Sequence, residues 1–145
     1  MKPEKCREFN IKYCKEMVEK SMKNMVVTGV NYHLCGDHGK DWPLHDVPTP
    51  PGSIMHVTYD GLKPADLTEV VKVFGNKCPL LGNIDTALIA RGTPAQIYEQ
   101  TKKDVLKYKG FPKGFVAGLA CECPPFVPPA NVMAFMKAVN DYGKY

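Results

Sequence analysis

The chain has 145 residues, 44% of them hydrophobic and 23% charged, with a net charge of +4, which suits one globular domain over residues 1–145 and is too little for two ordinary ones. No apolar run approaches the roughly 20 residues of a membrane span, and the charged opening Met1-Lys2-Pro3-Glu4-Lys5-Cys6 has no apolar secretory core. The lysines alternate with acids instead of forming a basic stripe, so the expectation is a cytoplasmic protein with no membrane and no nucleic-acid partner.

Pro3 suits the first turn of a helix, and Cys6, Phe9, Tyr13 and Met17 recur near helical spacing, which predicts a helix from Glu4 to about Asn24. Met25 to Cys35 is rich in β-branched residues and stops at Gly36, as a buried strand does. Residues 36–53 form a long proline-rich loop. Loops of that length in compact domains are usually functional or disordered. Ile54–Tyr59 reads as a second strand. Pro64 opens a short helix with Leu67, Val70, Val71 and Phe74 on one face, stopped by Gly75.

Cys78 to Asp85 reads as a third strand running into a loop. Thr93-Pro94-Ala95-Gln96 has the form of a capping box with proline at the first helical position, and opens a helix to about Tyr108. Phe115–Cys121 is a fourth strand. Pro129 opens a last helix with Val132, Phe135, Met136 and Val139 at amphipathic spacing, ended by Gly143. Strands separated by helices imply parallel pairing. The expected fold is therefore α/β, with four parallel strands and flanking helices: half of a (β/α)8 TIM barrel. An open doubly wound sheet fits less well, because no glycine-rich phosphate loop follows any strand.

Six cysteines in a chain with no secretory signal read as reduced thiols, some of them available as metal ligands, and not as a disulfide framework. His33 and Cys35 are two apart on a strand and so point to the same face. They and Cys121 sit at the C-terminal ends of strands, the rim that carries active sites in parallel β/α architectures. One histidine and two cysteines make a soft three-ligand set that zinc accepts with a fourth position open. On spacing alone, two packed cysteines and a core histidine are the slightly favoured reading. Cys123 shares a face with Cys121 only if the strand continues, and Pro124 and Pro125 argue that it has ended. Cys6, Cys14 and Cys78 read as packing residues and His56 as a satisfied core histidine. His38 and His45, with Asp37, Asp41 and Asp46, read as solvated loop polarity, with a second metal site as the alternative. Asp60 and Asp85 follow the second and third strands on the same rim, in either a turn or a site role.

Gly82-Asn83-Ile84-Asp85, Arg91-Gly92-Thr93-Pro94, Cys121-Glu122-Cys123-Pro124-Pro125 and Pro129-Ala130-Asn131-Val132 closely resemble the C-terminal half of the uroporphyrinogen decarboxylase superfamily. His33-Leu34-Cys35-Gly36 looks like the His-x-Cys-Gly of its corrinoid-linked methyltransferase branch, and Lys2-Pro3-Glu4-Lys5 like the start of the helix before that strand. In that branch the His-x-Cys pair and the last-strand cysteine bind zinc, so the resemblance implies metal ligation by His33, Cys35 and Cys121. It implies no catalytic residue beyond those ligands; Asp60, Asn83 and Asp85, after the second strand and at the end of the third, are expected to face substrate, and Asp60 is a conjectured fourth ligand before substrate arrives.

The implied activity is methyl transfer between a corrinoid (cobalamin) protein and a small thiol, which zinc holds as a thiolate. Two alternatives remain: a uroporphyrinogen-decarboxylase-like lyase, and a non-catalytic half-barrel subunit that needs a partner chain. The decarboxylase proper is the poorer match, since its last-strand motif carries His-Gly where this chain has Cys121-Glu122. Two departures from the family stand out. The N-terminal half of the barrel is absent from this sequence, which implies a fragment, a homodimer or a separate N-terminal half-barrel chain. The helix usual after the His-x-Cys strand is replaced by the proline-rich segment with Trp42.

Overall fold

The computed structural model describes residues 3–9, 12–13, 15–24, 29–37, 49–60 and 63–144, with only the backbone of Pro3, Cys6, Arg7, Asn24, Asp37 and Asp60. The helix expected over residues 4–24 is present as α1 (Pro3–Phe9) and α2 (Lys15–Asn24). Its apolar spacing does not translate into burial, because Phe9, Tyr13 and Met17 are 51%, 52% and 63% exposed. Cys6 and Cys14, read as packing residues, lie outside the described side chains, as does the whole segment 38–48 with His38, Asp41, Trp42, His45 and Asp46.

The first strand, β1, runs from Asn31 to Asp37 and extends past Gly36; of the segment expected to precede it, residues 25–28 lie outside the described ones and Gly29 and Val30 are not part of the strand. Just before it, the Val30 carbonyl already accepts from Ile54 N–H. A side chain at Gly29 would collide with the backbone of Gly52; glycine is what lets the two segments approach there.

β2 (Ile54–Asp60) pairs with β1 in parallel. It also carries a short antiparallel partner, β3 (Lys63–Pro64), through Tyr59 opposite Pro64 and Asp60 opposite Lys63. The expectation that Pro64 opens a helix is therefore corrected. Asp66 caps α3 (Leu67–Phe74), its carboxylate accepting from Thr68 N–H at 3.0 Å. A carboxylate cap outcompetes a proline start because it satisfies an otherwise orphaned N–H.

β4 (Leu80–Ile84) runs parallel to β2, and β5 (Phe115–Leu119) parallel to β4. The sheet order is β1-β2-β4-β5, the four parallel strands expected. The loop expected after β4 is in fact α4 (Thr86–Arg91), capped by Asp85, which accepts from Ala87 N–H at 2.8 Å. α5 (Pro94–Tyr108) opens with the predicted capping box intact: Thr93 Oγ accepts from Gln96 N–H, and Gln96 Oε1 accepts from Thr93 N–H. α6 (Pro129–Tyr142) closes the described chain.

Side-chain parity divides the sheet into two faces. Met55 and Val57 of β2 and Leu80 of β4 join Leu67, Val70 and Phe74 of α3 and Tyr108 of α5 in one buried core, with Tyr32 and Leu34 of β1 packed against it. Successive strand residues point to opposite faces. His33, Cys35 and His56 therefore belong to the face away from these helices, the one that lines the interior when such a sheet closes into a barrel. Cys78 is 2% exposed in the core. It is the packing residue expected, and burial pushes its thiol pKa up.

Candidate metal centre

The site begins with the parity of β1. With Tyr32 and Leu34 committed to the apolar core, His33 and Cys35 must emerge together on the opposite face. β5 ends at Leu119, and Ala120 N–H still donates to the Ile84 carbonyl at 2.7 Å. That bond holds the start of the turn against β4 and delivers Cys121 to the same rim. The ligand-capable atoms of His33, Cys35 and Cys121 lie within 4.8 Å of one another. Cys35 Sγ is 3.5 Å from Cys121 Sγ, and Cys121 Sγ is 3.6 Å from His33 Nε2.

Those separations can be compared with what a metal requires. Zn–S bonds of about 2.3 Å and Zn–N bonds of about 2.0–2.1 Å at tetrahedral angles place neighbouring sulfurs about 3.8 Å apart, and sulfur and nitrogen about 3.6 Å apart. Two of the three separations thus stand close to tetrahedral spacing, and all three donor atoms lie within 4.8 Å of one another, so the donor set fits the ion. His33 and Cys35 are exposed and Cys121 is half-buried, which leaves one side of the cluster open. Soft donors of this kind suit zinc.

Beneath the cluster lies a residue that sequence reasoning assigned to the core. His56 is the register partner of His33 across the parallel β1–β2 pair, and its Nδ1 is 2.9 Å from Nδ1 of His33. His56 is 6% exposed. Burial lowers its pKa to about 4, aided by repulsion from His33 and opposed by the Leu119 and Ala120 backbone. It is therefore a neutral ring at physiological pH, able to accept at one nitrogen. Its Nε2 makes no hydrogen bond of good geometry among the described residues, although the Leu119 and Ala120 backbone lies against the ring and favours its protonated form.

The other residues of interest are placed elsewhere. Asn83 is 6% exposed and donates through Nδ2 to the Ala65 carbonyl. Together with the helix cap Asp85 it lines a cavity of about 450 Å³ that also takes in Asp66, Gln100, Asp104 and Tyr108. None of His33, Cys35 and Cys121 lines that cavity. Asp60 ends β2, but its side chain lies outside the described ones. Cys123 is an exposed free thiol and is not part of the ligand cluster.

A β/α chain with parallel strands and a His-Cys-Cys cluster that reaches from within β1, at His33, to the C-terminal end of the sheet, at Cys35 and Cys121, falls in the class of barrel-type proteins that build their sites at the strand ends. The uroporphyrinogen decarboxylase (URO-D) family model matches residues 1–142, and the chain belongs to that family. No curated protein matches the chain. Among the described residues no helix is long and apolar enough to cross a membrane.

Proposed function

We propose that the chain is the zinc-binding half of a methyltransferase that moves a methyl group between a corrinoid protein and a small thiol. The observation that carries this reading is the convergence of His33, Cys35 and Cys121, with 3.5 and 3.6 Å between donor atoms. Cys121 stands at the end of the last parallel strand, where the sequence resembles the methyltransferase branch. Three protein donors leave a fourth position for a substrate, and the exposed side of the cluster gives a small thiol a path to it. Zinc, when bound, would hold that thiol as the reactive thiolate at neutral pH. The chain's own part is to present two sulfurs and one imidazole from strands fixed by the sheet, so the acceptor is oriented before the methyl group arrives.

The corrinoid protein as donor is inferred from the likeness of His33-Leu34-Cys35-Gly36 to the methyltransferase branch. A complementary half-barrel, from a second copy or another chain, is inferred from the sheet. Among the described residues β1 and β5 are its edges, and a bare edge is a template for further strand pairing.

The test is metal content per chain, by mass spectrometry, for wild type and Cys121→Ser. The expected result is about one zinc per wild-type chain and a sharp loss in the variant, since removing one of three protein ligands dismantles the site. A wild type that takes up no zinc under reducing conditions sinks the reading. Zinc uptake without thiol methylation, even with a methylated corrinoid protein present, would favour a metal-holding subunit over the transferase.

A further inference from the structure

The contact between His33 and His56 bears directly on the ligand set. Their rings meet edge to face, with centroids 4.6 Å apart and planes at 69°. The two Nδ1 atoms at 2.9 Å can share one proton, so one ring donates and the other accepts. The second nitrogen of His33, Nε2, faces Cys121 Sγ. The shared proton therefore decides what His33 offers the cysteines. If His33 donates from Nδ1, its Nε2 presents a lone pair. If His56 donates instead, a neutral His33 carries its proton on Nε2 and aims an N–H at Cys121.

We infer that His56 is a positioning residue for the metal: it accepts the His33 Nδ1 proton and so fixes His33 as an Nε2 ligand. This rests on the metal reading above. The outer nitrogen of a ligating histidine is ordinarily bonded to a carboxylate, carbonyl or water, and here a second histidine takes that place. The site of His56 suits the task. It is locked in register beside His33 by the parallel pairing, it is nearly sealed from solvent, and its ring sits against the Leu119–Ala120 backbone that leads into Cys121. One ring thereby braces both segments that carry the three candidate ligands.

The experiment measures zinc affinity by chelator competition for wild type, His56→Asn and His56→Leu, with each fold checked by circular dichroism. Asparagine places an acceptor oxygen near the position of Nδ1, whereas leucine fills the space and accepts nothing. The leucine variant should bind zinc about 10–100-fold more weakly, as loss of an outer-shell partner does, with asparagine restoring most of the difference. In zinc-loaded wild type, long-range ¹⁵N–¹H correlation should find the His33 proton on Nδ1. Equal affinity in the leucine variant, a loss as large with asparagine as with leucine, or a His33 proton on Nε2 would each overturn the assignment. If the leucine variant does not fold, the wild-type spectrum decides. A wild type that binds no zinc removes the metal reading and this one with it, whereas normal wild-type binding with an unaffected leucine variant removes this one alone.

Discussion

Phe126 stands in the turn after Cys121 with φ at 63° and its ring 98% exposed. The left-handed region costs a non-glycine residue about 1–2 kcal/mol, and an exposed ring recovers none of that by burial. Phe126→Asn should therefore raise stability by about 1 kcal/mol, because asparagine tolerates that conformation. Thermal denaturation checks it, and an unchanged or lower midpoint would mean that the ring makes stabilising contacts after all. At this scale the convergence of His33, Cys35 and Cys121 was legible in part. His33 and Cys35 are two apart on a strand and Cys121 follows one, so strand parity and strand ends allow them to meet, but spacing alone does not separate a candidate metal cluster from packed cysteines. His56 was legible only as a buried residue. Its role depends on the register between β1 and β2, and no local pattern encodes which residue of a parallel neighbour lies opposite His33.

Side-chain caps open both helices that follow β4, α4 and α5. Thr93→Ala removes the side-chain oxygen that accepts from Gln96 N–H and should cost about 1 kcal/mol. Chemical denaturation reads this as a lower midpoint with an unchanged slope; an unchanged midpoint would mean water replaces the cap without loss. Asn131 ties two elements together. It is 1% exposed, and its Nδ2 donates at 2.9 Å to both the Ile89 and Gly92 carbonyls at the end of α4. Asn131→Leu leaves the buried Ile89 carbonyl and the half-buried Gly92 carbonyl without this donor and should cost about 1–3 kcal/mol, chiefly from the Ile89 group. A smaller loss, measured the same way, would show that the α4–α6 junction relaxes to admit water. The α5 box was legible because its four residues state the whole motif. α4 was not, since six residues are too few for a helical period to declare itself. Asp85, which resembled a rim acid, is the N-cap that signals it.

The sheet is covered by helices on one face and carries His33 and Cys35 of the candidate cluster on the other, so the molecule's stability and its candidate chemistry are separated by the thickness of a strand. One charge on the helical side opposes folding. Asp104 of α5 is 8% exposed, and burial raises its carboxyl pKa above the ordinary 3.8, against the pull of the Gln100 amide and of Lys103 and Lys107. An acid with a raised native pKa holds its proton in the folded state where the unfolded chain has already released it. Stability therefore falls as pH rises from 3.8 through the raised value, and the full cost is present above it. Asp104→Asn keeps an oxygen to accept from Gln100 Nε2, which now donates at 3.0 Å, and removes the charge. The variant should be more stable than wild type near pH 7, with the gap narrowing as pH is lowered toward about 4, where a carboxyl becomes protonated in both states. Comparing the two proteins across that range cancels the titration of every other group, including His56, whose depressed pKa acts with the opposite sign. A gap that stays constant with pH would assign the difference to packing around residue 104. A gap that closes would identify Asp104 as a charge the fold carries at a cost, on the wall of the cavity it shares with Asn83 and Asp85.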